Sequence, residues 1–94
     1  MNTHPSPEAK AIARLIRAQM AIRDVTQTPL AEHLNISQPT LSRKLKGQKN
    51  FELDEIFAAC DFLGLNAGEI IARGIQMASE GKGNDFSIIE AGDR

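Results

Sequence analysis

The chain has 94 residues, 41% hydrophobic and 24% charged, with four Phe and neither Trp nor Tyr. That length supports one domain around a single core and needs no metal or disulfide staple, and a core with so few rings is aliphatic and expected to be all-α. Net charge is only -1, yet residues 1–50 carry eight Lys and Arg against three acids while residues 51–94 carry three against nine, so a basic face toward an anionic partner is expected, with an acidic face turned away.

Residues 1–7 are expected to be a flexible N-terminus. Ser6 is a plausible N-cap, with Pro7 at the first helical position and Glu8 near the positive end of the helix dipole. Ile12, Leu15, Ile16 and Met20 then recur at helical spacing with Arg14 and Arg17 off that stripe, predicting an amphipathic first helix through about Ile22 with a basic outer edge. Asp24-Val25-Thr26 is a connection. A short second helix starts near Thr28, where Pro29 is tolerated in the first turn, and Leu30 and Leu34 give it one apolar stripe.

Asn35-Ile36-Ser37 follows as a tight turn. Asn tolerates the left-handed conformation that ends helices, Ile36 can plug the angle between two helices, and Ser37 is a good N-cap. A third helix runs from about Gln38 to Lys46, with Pro39 in its first turn, Leu41 and Leu45 on its apolar stripe and Gly47 as its stop. The two helices around the turn predict a helix-turn-helix. Ala31 is small where they cross, because a bulkier side chain would separate them.

After the polar loop Gln48-Lys49-Asn50, the positions Leu53, Ile56, Phe57, Cys60 and Leu63 predict an amphipathic fourth helix ending at Gly64. Glu52, Asp54 and Glu55 crowd its first turn, favourable to its dipole. Cys60 excludes an internal disulfide and a structural zinc site and fits a buried small hydrophobe. A fifth helix capped by Asn66 carries Ile70, Ile71, Ile75 and Met77, an apolar surface for closing the core or pairing two copies. The domain is expected to span residues 8–79. Glycines at 81, 83 and 92 mark 80–94 as a loosely ordered tail, in which Phe86, Ile88 and Ile89 offer a short strand or partner contact.

Residues Thr26-Gln27, Leu30-Ala31, Ile36-Ser37, Leu41-Ser42-Arg43, Gly47 and Leu63-Gly64-Leu65 together resemble the Cro and lambda-repressor-like family of helix-turn-helix DNA-binding domains, from about Ala9 to Gly74. The resemblance implies a compact five-helix domain in which helices two and three form the motif and helix three enters the major groove. By position in the motif, Ser37, Gln38, Pro39, Thr40 and Arg43 would meet bases or the adjoining backbone. Gln pairs bidentately with adenine and Arg with guanine, which makes Gln38 and Arg43 the leading candidates for direct readout. Gln27, Ser42, Lys44, Lys46 and Lys49 would meet phosphates, with Arg14, Arg17 and Arg23 as weaker candidates. Four positions depart from the family pattern: Asn35 stands for the usual turn glycine, Pro39 replaces a base-reading side chain and can meet only a thymine methyl or shape, and Lys44-Leu45 inverts the common hydrophobic-then-acidic pair.

No Ser-His-Asp or paired-carboxylate constellation converges, and His33 and His4 have no second ligand at metal spacing, so neither an enzyme nor a cofactor or metal is expected. The N-terminus lacks a signal-peptide run and no stretch reaches membrane-spanning length, so a cytoplasmic chain is expected, away from membranes. The function implied is a sequence-specific transcription regulator, a repressor of phage or mobile-element type that binds a palindromic operator in double-stranded DNA as a homodimer, with Ile70, Ile71 and Ile75 of the fifth helix as the candidate pairing surface. The alternative is an antitoxin-like or anti-regulator interaction module, whose acidic second half clasps a protein partner and whose DNA binding is secondary or lost.

Overall fold

The structure, a computed structural model, describes residues 5–87. Five helices follow one another: α1 (Pro7–Ile22), α2 (Gln27–Leu34), α3 (Gln38–Leu45), α4 (Leu53–Leu63) and α5 (Ala67–Ser87). No strand occurs among the described residues, and no described helix is long and apolar enough to cross a membrane.

The helix starts are built from local capping. Ser6 Oγ accepts from the Ala9 amide at 3.1 Å, Ser37 Oγ from Thr40 at 3.2 Å, and Asn66 Oδ1 from Glu69 at 2.9 Å. Each satisfies an amide that the first turn leaves without an intrahelical partner. Pro5, expected in a flexible start, is buried.

Four of the helix ends share one device. Asp24, Asn35, Gly47 and Gly64 all have positive φ, at 58°, 61°, 78° and 75°, and after each the next amide reaches back to a carbonyl five residues earlier: Val25 to Met20, Ile36 to Ala31, Gln48 to Arg43, Leu65 to Cys60. This is the Schellman pattern that closes a helix and turns the chain sharply. Asn35 therefore takes the left-handed role expected of it. Asp24 takes the same role where only a connection was expected.

The core gathers Ile12, Ile16 and Met20 of α1, Leu30 and Ala31 of α2, Leu41 and Leu45 of α3, Ile56, Ala59, Cys60 and Leu63 of α4 and Ile70 of α5. Leu15, Val25, Leu34, Ile36 and Phe51 close its edges. Burial pushes the Cys60 thiol up from its ordinary pKa, as desolvation disfavours a thiolate. α5 lies along α1, and at Gly74 the two are close enough that an added Cβ would stand 2.5 Å from Ile12 Cγ1 and 3.2 Å from the Ile12 amide nitrogen.

One expectation is corrected. Leu53 and Phe57 are 59% and 47% exposed, because the face of α4 that packs is centred on Ile56, Ala59, Cys60 and Leu63, leaving the 53/57 pair on its flank. Of the two roles open to the fifth helix, Ile70 takes that of closing the core, whereas Ile75 is 50% exposed. The last helix, α5, runs to Ser87. Ile88 and Ile89 lie outside the described residues.

Candidate nucleic-acid interface

α3 is an eight-residue helix, about 12 Å long at 1.5 Å per residue, close to the roughly 12 Å width of the major groove. Leu41, Lys44 and Leu45 define its buried side. The opposite side presents Gln38, Pro39, Arg43 and Lys46, all exposed, with Ser42 half-buried. The positions 38, 42 and 46 recur every four residues, as do 39 and 43, so they form one continuous face.

The start of this helix is held by side chains on both sides of the turn. Gln38 Nε2 donates to Gln27 Oε1 at 2.5 Å, joining the first residues of α3 and α2. Ser37 donates its hydroxyl to Thr40 Oγ1 at 2.8 Å while accepting from the Thr40 amide. Ser37 and Thr40 thus cap the helix, and Gln38 is oriented by Gln27. Gln38 keeps its amide oxygen and one N–H for an outside partner.

The far end is fixed as firmly. Arg17 of α1 donates from its guanidinium to the Leu45 carbonyl at 3.3 Å, satisfying one of the carbonyls left open at a helix C-terminus. Gly47 then turns the chain, with its amide on Lys44 O at 3.1 Å.

Lys44 is not where a phosphate ligand needs to be. It is 4% exposed, and its ammonium bonds to Glu55 Oε1 of α4 with the Phe51 ring centroid 6.0 Å away, at the outer limit of a cation–π contact. The same Glu55 oxygen accepts from the Glu52 amide at 2.9 Å, so it caps α4 while neutralising Lys44. Lys44 stands three residues after Leu41, on the apolar stripe itself, a signal present in the sequence. Inversion of the Lys44-Leu45 pair does not rotate the helix: Leu45 stays buried and Lys44 is buried beside it.

Arg43, Lys46 and Lys49 are exposed, and among the described residues none of them has an ion-pair partner. Arg43 and Lys49 flank a shallow groove with Gln48, Asn50 and Glu52. Arg17 is committed to Leu45, and Arg23 donates to Gln19 Oε1 at 3.2 Å, which draws both into the fold's own bonding. His33 lies against Phe62 with centroids 4.9 Å apart. No group of three or more metal-binding side chains occurs among the described residues.

Two short helices set by a left-handed turn, the second presenting a polar and cationic face from a fixed frame, define a helix-turn-helix DNA-binding domain. The profile of the Cro/C1-type HTH DNA-binding domain matches residues 15–73, and the chain belongs to that family. Two crystal structures of the clp gene regulator ClgR from Corynebacterium glutamicum share the fold. One superposes with a TM-score of 0.73 at 21% identity, over 87% of this chain and 86% of that one. The other gives 0.67 at 23% identity, over 79% of this chain and 95% of that one. No curated protein matches the chain.

Proposed function

We propose that the protein is a sequence-specific transcription regulator, a repressor of phage or mobile-element type that binds a palindromic operator as a homodimer. The observation that carries this is the exposed face of α3, with Gln38 oriented by Gln27 and Arg43 without an ion pair among the described residues. Gln38 reads adenine and Arg43 guanine, each through two hydrogen bonds in the major groove. Pro39 contributes shape or a thymine-methyl contact, while Ser37 and Thr40 lie at the helix start, where groove-facing residues meet bases or backbone. Gln27, Ser42, Lys46 and Lys49 hold phosphates and set the register. That a protein of the same fold regulates clp genes supports the regulatory role.

Pairing of two copies uses exposed apolar side chains. Leu53 and Phe57 lie one turn apart on α4, and Ile75 adds a third on α5. Selection of the full chain against a random duplex library tests the whole reading: enrichment of an inverted repeat with half-site centres about 10 base pairs or a multiple apart is expected. Enrichment of single half-sites, or of nothing, overturns it.

A second reading rests on the same α4 surface. Glu52, Asp54 and Asp61 rim the Leu53–Phe57 pair, which suits a basic protein partner and an anti-regulator role. Stoichiometric copurification of such a partner from the native host, with loss of DNA binding in the complex, supports it.

A further inference from the structure

The cations of α1 divide by what they touch. Arg17 is bonded to the end of α3 and Arg23 to Gln19 of its own helix. Lys10 and Arg14 are exposed, have no ion-pair partner among the described residues, and border one depression whose floor is Ala11, Met77 and Ala78. Glu80, the acid next along α5, accepts instead from Gln76 at 3.2 Å.

Two observations place this pair beside the proposed DNA surface. The Lys10 stem lies against Gly47, its Cγ 3.3 Å from where a Gly47 Cβ would stand. Arg17, two turns along the same stripe of α1, reaches the Leu45 carbonyl. Lys10, Arg14 and Arg17 stand at i, i+4 and i+7 and so share one edge of the helix, and that edge is held against the turn that carries Lys46 and Lys49. The cations of the turn and those of α1 are therefore neighbours, although separated by some thirty residues of sequence.

We propose that Lys10 and Arg14 extend the Lys46–Lys49 region into a phosphate-binding track, which holds DNA backbone past the C-terminal end of α3. This rests on the assignment of α3 as the recognition helix and adds a binding site to it. The ligand is the phosphodiester backbone, bound without regard to base. Cβ atoms one turn apart on a helix are about 5–6 Å apart, the axial length of about two nucleotides of one strand, so Lys10 and Arg14 can meet neighbouring phosphates. Among the described residues, α5 lines this depression only with the apolar Met77 and Ala78.

The test is a salt titration of binding by the full chain to an operator duplex obtained by library selection, with flanking sequence on both sides. For Lys10→Ala/Arg14→Ala, the log–log slope of affinity against salt falls by about two, and affinity at physiological salt falls roughly tenfold or more. The ranking of operator variants stays as in the parent, and Lys10→Arg/Arg14→Lys restores the slope. Both substituted positions are exposed, and a thermal melt establishes that the variant is folded; Lys10→Gln/Arg14→Gln, which keeps the Lys10 stem on Gly47, provides a second version of the same loss. An unchanged slope in a folded variant, or an altered base ranking, overturns the track while leaving the recognition helix standing. A parent chain that binds no operator overturns both.

Discussion

Lys44 of α3 and Glu55 of α4 form an ion pair, with side chains 5% and 14% exposed. It fastens the back of α3 to the capped start of α4. Lys44→Ala leaves the Glu55 carboxylate facing the Leu41–Leu45 side without its cation, and costs about 2–4 kcal/mol of stability; the lower end reflects the Glu52 amide that still bonds to Glu55. Lys44→Met with Glu55→Gln removes both charges while keeping volume and recovers most of the loss. Urea denaturation of the three variants measures this. A Lys44→Ala protein as stable as the parent excludes the bolt.

Gly74 sets the distance between α1 and α5. Gly→Ala inside a helix ordinarily gains about 0.5–1 kcal/mol, but here the new Cβ meets Ile12 at 2.5 Å. Overpacking at about 1–3 kcal/mol exceeds that gain, so Gly74→Ala is expected to melt below the parent. Ile12→Ala in the same chain removes the Cγ1 atom that the new Cβ meets, and the cycle of single and double variants shows coupling.

At Asp24 and Asn35, both held near φ +60°, the effect runs the other way. Asp24→Gly and Asn35→Gly relieve left-handed strain and raise stability by about 0.5–1 kcal/mol each. Alanine at either site lowers it by about 1 kcal/mol. Thermal melts of the four variants give opposite signs for glycine and alanine; a common sign would refute the conformational account.

On the proposed DNA face, Arg43→Ala relaxes base preference at one position by about 1–3 kcal/mol, whereas Lys46→Ala weakens all sequences alike and lowers the salt slope by about one. Competition binding against single-base operator variants separates the two roles. Equal losses on every variant for Arg43→Ala would remove it from base readout.

Cys60 gives a pH dependence. Because burial raises its thiol pKa in the folded state, the unfolded chain loses this proton first as pH climbs past the ordinary thiol value of about 8.5. The contribution is fully present below that pH and declines above it. Comparison with Cys60→Ala, which lacks this slope, is the check, together with slow alkylation of Cys60 in the folded chain.

Most of the frame was readable from apolar spacing and punctuation. Pro7, Pro29 and Pro39 mark the starts of α1, α2 and α3, and Asn35, Gly47 and Gly64 mark three stops. What escaped depends on contacts distant in the chain. Lys44 looks like part of a basic run until Glu55 is brought beneath it. Leu53 and Phe57 share a helical stripe with Cys60 in spacing, yet only the direction from which α1 and α2 approach α4 decides which stripe is buried. Asp24 is uncommon in the left-handed region, so it read as loop rather than as a helix stop. The proposed contacts of Ser37, Gln38, Thr40 and Arg43 came from the motif, and the geometry adds that Ser37 and Thr40 are bonded to each other and Gln38 to Gln27.

An eight-residue helix has almost no tendency to form by itself, since nucleation costs more than so few hydrogen bonds return. The Gln27–Gln38 bond at one end and the Arg17–Leu45 bond at the other therefore mean that α3 owes its shape to its neighbours. Cut from the domain, the same eight residues would have to be ordered by the DNA at the moment of contact, and that entropy would be subtracted from affinity. Within the domain it has been lost already, during folding.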